Sequence, residues 1–401
     1  MEKEQKTITN ANEVRQNKLN VPTLRFCEFT LPWERIELKS IIKEIKQYTS
    51  DFDKYPLYSF TIENGVTPKT DRYERNFLVT KEGDTFKVVP PNTFVMNPMN
   101  LRFGAINYSK LDFPVSVSGY YNIFEIENGK NNDFWAAYFL TKSAINLYNS
   151  VATGSLIEKK RVHFSQFIGL KFLVPTSKEK EKITYFIRLI DKRLAVQNKI
   201  IEDLKVLKKE LCNKVFSSSE YVRLGDYITE ITTRNKANSC DNVLSVSNKM
   251  GFIKQSEQFE DRTVASEDKR NYKVVSEGCF AYNPARINVG SIALLETQKV
   301  GIISPMYVCF KTSNELIADY LKFYYQSAIF FKELHKKLEG SVRQCLTYEN
   351  MCEIQIPYVN VEQQRKIATA LKGFATRIVL EEQYLRALQR QKAYFLNAMF
   401  I

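Results

Sequence analysis

Between Lys178 and Phe216 the chain contains no glycine or proline, and its apolar residues recur at alternating steps of four and three. Ile183, Ile187, Ile190, Leu194, Ile201, Leu204, Leu211 and Val215 occupy this lattice, and Gln197 and Lys208 fill its two polar gaps. A 3.5-residue period predicts a helix that packs along its length against another helix. At 1.5 Å per residue that helix is about 58 Å long. The pattern then occurs a second time, 184 residues on, at Ile367, Leu371, Phe374, Ile378, Leu385, Leu388, Phe395 and Met399. Its polar gaps return as Glu381 and Lys392. A single bundle helix has no reason to be copied with its defects.

The segments between these helices have a mixed pattern. Phe86–Val89, Thr93–Met96 and Tyr120–Ile126 read as strands, whereas Phe134–Ser150 has helical spacing. Residues 86–106 and 272–292 align without a gap at an offset of 186, with 8 identities in 21 positions, where about one is expected from average residue usage. Pro175 and Pro357 each stand just ahead of a long helix, where proline is tolerated. The pattern is a tandem duplication of domain plus long helix. It divides the chain into a disordered tail (1–20), a first domain (21–177), a long helix (178–216), a second domain (217–357) and a second long helix (358–401). The fold class expected is α+β: two similar globular domains joined by two long helices that pair antiparallel as a coiled-coil spacer, with an internal pseudo-twofold.

Composition narrows the function. Net charge is +13 with a pI of about 9.2, which suggests a polyanionic partner, nucleic acid first. The excess lies mostly on the helices: residues 178–216 carry +5 and 358–401 carry +4, against +3 for 21–177 and zero for 217–357. Basicity alone therefore does not make the globular domains DNA readers. No apolar run reaches membrane-spanning length, the polar start is not a signal peptide, and the seven cysteines include no Cys-x2-Cys pair, so a cytoplasmic protein with reduced thiols is expected.

No complete catalytic motif occurs in the sequence. Asn97-Pro98-Met99 and Asn283-Pro284-Ala285 invite comparison with the Asn-Pro-Pro-aromatic motif of adenine methyltransferases. Both lack the second proline and the aromatic that would stack a flipped base, and read as strand-to-loop turns. The two histidines, His163 and His335, form no triad and no metal cluster, and no phosphate-cradling Gly-x4-Gly-Lys-Ser/Thr loop is present.

Taken together, several segments resemble the specificity subunit of type I restriction-modification enzymes. These are Val21-Pro22-x-Leu24-Arg25-Phe26 followed by Trp33, the Asn-Pro segment ending in Gly104-Ala105-Ile106, and Gly301-Ile302-Ile303-Ser304-Pro305-x-Tyr307. The Gly-Ser pairs at 154 and 340, and the entry to the second helix through Pro357, Glu362, Lys366 and Ile367, also match. Val115–Tyr121 departs from the pattern, with Gly119 where proline would stand. The resemblance covers nearly all of the chain after the tail. It implies two target-recognition domains, each reading one half-site of a double-stranded DNA target, and conserved helices as spacer. It implies two methyltransferase (M) subunits and, for cleavage, restriction (R) subunits as partners. S-adenosylmethionine, ATP and Mg²⁺ would be held by those partners and none by this chain. A fused methyltransferase or nuclease and a helical scaffold that binds no DNA are the rival readings.

Basic and amide residues in polar, turn-rich segments are the candidates for DNA contact. In the first half these are Lys69, Arg72, Arg75, Arg102, Lys159, Lys160 and Arg161; in the second, Arg234, Lys236, Asn238, Lys249, Arg262, Arg286 and Arg343. Arginine can read guanine bidentately, asparagine can read adenine, and lysine more often meets phosphate.

Overall fold

The computed structural model describes residues 20–62, 65–68, 86–156, 160–217, 220–248, 250–258, 268–296, 300–339 and 344–401. The chain forms two compact units. One contains residues 1–196 and 385–401; the other contains residues 197–384.

In the first unit a four-stranded antiparallel sheet has the order 42–45, 122–126, 94–96, 106–108. A second sheet has the order 48–49, 86–89, 115–118, and the hairpin of Tyr58–Thr61 with Gly65–Pro68 meets it through a parallel bridge from Leu57 to Ser116. The strand predicted over Phe86–Val89 is present with those bounds, and the other two occur as Phe94–Met96 and Asn122–Ile126. The helical run expected over Phe134–Ser150 is in fact two helices, Asn132–Phe139 and Lys142–Val151. Thr141 divides them: its backbone is extended, and its hydroxyl accepts a hydrogen bond from the Ala144 N–H at 3.3 Å, capping the second helix.

The second unit repeats this plan. Its four-stranded sheet has the order 228–230, 308–312, 279–282, 292–294, and Ser327 caps helix Ala328–Lys337 as Thr141 caps its counterpart. A second sheet has the order 251–254, 243–247, 300–303, 273–276, with a parallel pair at its centre, and Tyr221–Arg223 pairs separately with Gln355–Pro357. The aromatic cores are copied too. Phe94 and Phe124 stack at 5.4 Å with Phe139 edge-on; 186 residues later Phe280 and Phe310 stack at 5.1 Å with Tyr325 edge-on. Large buried rings fix the relation of sheet to helix, which accounts for their recurrence where surface residues have drifted apart.

The long helices span Ser177–Val215 and Val361–Met399. The second begins three residues later than its pattern suggested, because the Asn360 side chain accepts from the Gln363 N–H at 2.9 Å and sets the cap there. In the first unit the opening segment is tied to both helices. Arg25 makes two 2.7 Å bonds to the buried Glu179 carboxylate, which also accepts from the Trp33 indole at 3.3 Å, and the Leu24 N–H donates to the Ala398 carbonyl at 2.8 Å.

Gly104 and Gly290 close equivalent 3₁₀ turns with φ of 87° and 89°. A Cβ at Gly290 would meet nothing within 4 Å, whereas at Gly104 it would lie 3.0 Å from a Leu140 methyl. Gly290→Ala should therefore cost only left-handed strain, about 1–2 kcal/mol. Gly104→Ala should cost more, and urea denaturation of the two variants checks the order.

Candidate nucleic-acid interface

The Asn-Pro segments are turns built identically in both units. The Asn97 side-chain oxygen accepts from the Met99 N–H at 3.0 Å, and that of Asn283 from the Ala285 N–H at 3.0 Å. Their backbone N–H groups donate to Ala105 and Ser291, and the Pro98 and Pro284 carbonyls accept from Val162 and Leu346. An asparagine that folds its amide onto its own backbone is a turn device. The turn presents the 3₁₀ segments Leu101–Phe103 and Ile287–Val289, whose last residues, Phe103 and Val289, are 64% and 60% exposed.

The candidate DNA residues divide by place. Arg102 stands on the first of these turns, but its guanidinium is held by the Asn149 side chain at 2.7 Å and lies 5.7 Å from the Phe103 ring. Lys160 and Arg161 stand at the base of a loop that Thr153 and Arg161 close with two 2.9 Å backbone bonds. Arg234 is exposed, with its guanidinium donating to the Asn271 carbonyl at 2.9 Å. Lys236 and Asn238 project from a turn organised by buried Asn235, whose side chain bonds the backbone at Ser239 and Cys240. Lys69, Arg72, Arg75, Lys159, Lys249, Arg262 and Arg343 lie outside the described residues.

Arg286 lines a cleft of the second domain. This cleft, of about 500 Å³, is bounded by Ser247, Asn248, Gln255, Ser304 and Met306 among others. Arginine, amides and hydroxyls converging in one concavity form a donor and acceptor set suited to base edges. Sequence reasoning did not select Asn248 or Gln255, since nothing distinguishes them from surface amides until the strands at 243–247 and 251–254 bring them together. Among the described residues no group of three or more His, Cys, Asp or Glu is placed to hold a metal ion, and no helix is long and apolar enough to cross a membrane.

The long helices carry a buried seam. From Arg188 to Glu210 the positions that are not exposed are Ile190, Asp191, Leu194, Gln197, Ile201, Leu204 and Lys208, which is the 3.5-residue lattice with Asp191 added. On the second helix the lattice residues Leu371, Phe374, Ile378, Glu381, Leu385, Leu388 and Lys392 are likewise covered. Within the second unit Gln197 donates to the Glu381 carboxylate at 2.5 Å, Arg377 also pairs with Glu381, and Leu211, Ile367 and Leu371 join the domain core. Within the first unit Lys392 meets Asp191 at 2.5 Å, Phe186 meets Phe395 edge-on at 5.1 Å, and Ile183 and Ile187 share a core with Met399 and Phe400. The helices run antiparallel in each unit.

Each unit holds a domain of the same plan continuous with a long helix. The model for the type I restriction modification DNA specificity domain matches residues 212–390. The fold is shared over nearly the full length with a type I restriction-modification S subunit from M. genitalium (TM-score 0.54, 13% identity, 95% of this chain and 99% of the other). A chain from a structure described as the basis of complex assembly and conformational transition of the type I R-M system is similar as well (TM-score 0.55, 13% identity, 92% and 98%). The stretch 212–390 therefore resembles a type I specificity domain, and the first unit repeats the plan of the second.

The Gln197–Glu381 contact gives a direct check on the seam. Gln197→Leu leaves a buried carboxylate short of a donor and should cost about 1–3 kcal/mol. Adding Glu381→Leu should restore most of that loss, because an apolar pair of similar size needs no hydrogen bond. A double-mutant cycle in urea, in which the double variant is more stable than the single, is the expected outcome.

Proposed function

We propose that this chain is the non-catalytic, sequence-reading subunit of a cytoplasmic type I complex, and that it reads a bipartite duplex target with one half-site per domain. The observation that carries this is the duplication: two domains with the same aromatic core and the same Asn-Pro turn, each on one long helix, the second of them a specificity domain by family. Each half-site is read by its own domain, and the helices fix the gap between the two. Base reading in the second domain centres on Arg286 with Asn248 and Gln255, and exposed lysines such as Lys236 meet phosphates.

The chemistry is done by partners. Two methyltransferase subunits bring S-adenosylmethionine, and restriction subunits bring ATP and Mg²⁺. Support for docking comes from the outer faces of the long helices, where Tyr185, Leu189, Val196, Val206, Val379, Leu380 and Tyr394 are exposed apolar residues on otherwise polar helices. Scattered exposed apolar residues are ordinary, but a succession of them along helices already paired elsewhere suits a protein interface.

Replacing residues 221–357 with the corresponding domain of a relative should change one half-site and leave the other intact. Sequencing of duplexes selected by the assembled methyltransferase complex reads both half-sites at once. A change in both would show that the domains do not read independently.

A further inference from the structure

The two Asn-Pro turns end on one backbone frame and carry unlike side chains there. The Asn100 N–H donates to the Asn97 carbonyl at 3.1 Å, and the Arg286 N–H to the Asn283 carbonyl at 3.0 Å. The Asn100 carbonyl accepts from the N–H groups of Phe103 and Ala105 at 2.9 and 3.1 Å, and the Arg286 carbonyl from those of Val289 and Ser291 at 3.2 and 3.1 Å. Both residues have a ψ of 7°, and each precedes a fully buried anchor, Leu101 or Ile287. Both side chains are exposed, and among the described residues neither has a hydrogen-bond or ion-pair partner. Two residues on, the choice is different: Arg102 is committed to Asn149, and Asn288 is half-buried. Each turn therefore has a fixed main chain and one unengaged polar side chain at the same point.

We infer that positions 100 and 286 are corresponding base-selecting positions, Asn100 reading an adenine in one half-site and Arg286 a guanine in the other. A carboxamide offers a donor and an acceptor side by side, the complement of adenine N7 and N6. A guanidinium offers parallel donors, the complement of guanine O6 and N7. Such two-point contacts need a side chain that is unengaged and a main chain that does not move, and both turns supply the pair. Phosphate binding would favour a cation in both domains, and Asn100 is neutral. Asn100 has no basic character to mark it in the sequence; it is singled out by sharing the backbone frame of Arg286. The inference rests on the reading of the chain as a two-domain DNA reader and goes beyond it by assigning one base to each domain.

The test uses the methyltransferase complex assembled on the full chain. Once the wild-type motif is mapped, methylation rates are measured on duplexes that differ from it by one base pair at a time, for wild type, Asn100→Ala, Arg286→Ala and Arg286→Asn. Arg286→Ala should lower the preference for guanine about tenfold or more at one position of one half-site and leave the rest of the motif intact. Arg286→Asn should move that position towards adenine. Asn100→Ala should lower a preference for adenine by a similar factor at one position of the other half-site. Thermal unfolding of the variants should match wild type, because both side chains are exposed. Unchanged preferences, a loss spread evenly over every position, or relaxation at a base other than the one assigned overturns the inference, and the two-domain reading stands so long as the wild-type motif is divided. If the wild-type complex yields no divided motif, both fall.

Discussion

The long-helix seam is the constraint on which the rest of the structure depends. It is an apolar lattice interrupted at defined places by polar side chains, and those interruptions set its register. Gln197 is satisfied by Glu381, and Lys392 by Asp191. A slip by one turn would remove the Gln197 bond from the buried Glu381 carboxylate and leave it only its own helix's Arg377, a loss of about 1–3 kcal/mol. The polar gaps therefore cost some stability and give a single alignment in return, the best-attested use of buried polar groups in paired helices.

The duplication works through the cores rather than the surfaces. The ring stack of Phe94 and Phe124 and that of Phe280 and Phe310 fix sheet against helix in the same way, and the Asn97 and Asn283 turns set what each domain presents at equivalent places. Beyond those turns the units differ. Arg102 in one corresponds to Asn288 in the other, and Asn100 to Arg286. A common scaffold with unlike side chains at matched positions is what a reader of two different half-sites requires.

Much of the fold was legible because it is periodic. The seam lattice, the ungapped match of 86–106 with 272–292 and the strand at Phe86–Val89 all follow from spacing alone. The break at Thr141 was not, since a helix period continues across it and only the hydroxyl cap on Ala144 reveals two helices. The recognition surface was the least legible part. Arg102 and Arg234 resemble base readers in sequence, yet each holds a contact within its own domain, with Asn149 and the Asn271 carbonyl. Asn248 and Gln255 gain their place from the local pairing of strands 243–247 and 251–254, and meet Arg286 in one cleft only through the fold of the domain, for which composition carries no signal.

The central claim is that two domains, each carried by a long helix, read one divided target. Co-expression of the chain with its methyltransferase subunit, followed by genome-wide mapping of methylated adenines, tests this most directly. The account predicts a single motif with two specific half-sites separated by a fixed run of unspecified bases. One uninterrupted motif, or two half-sites at variable separation, would contradict it.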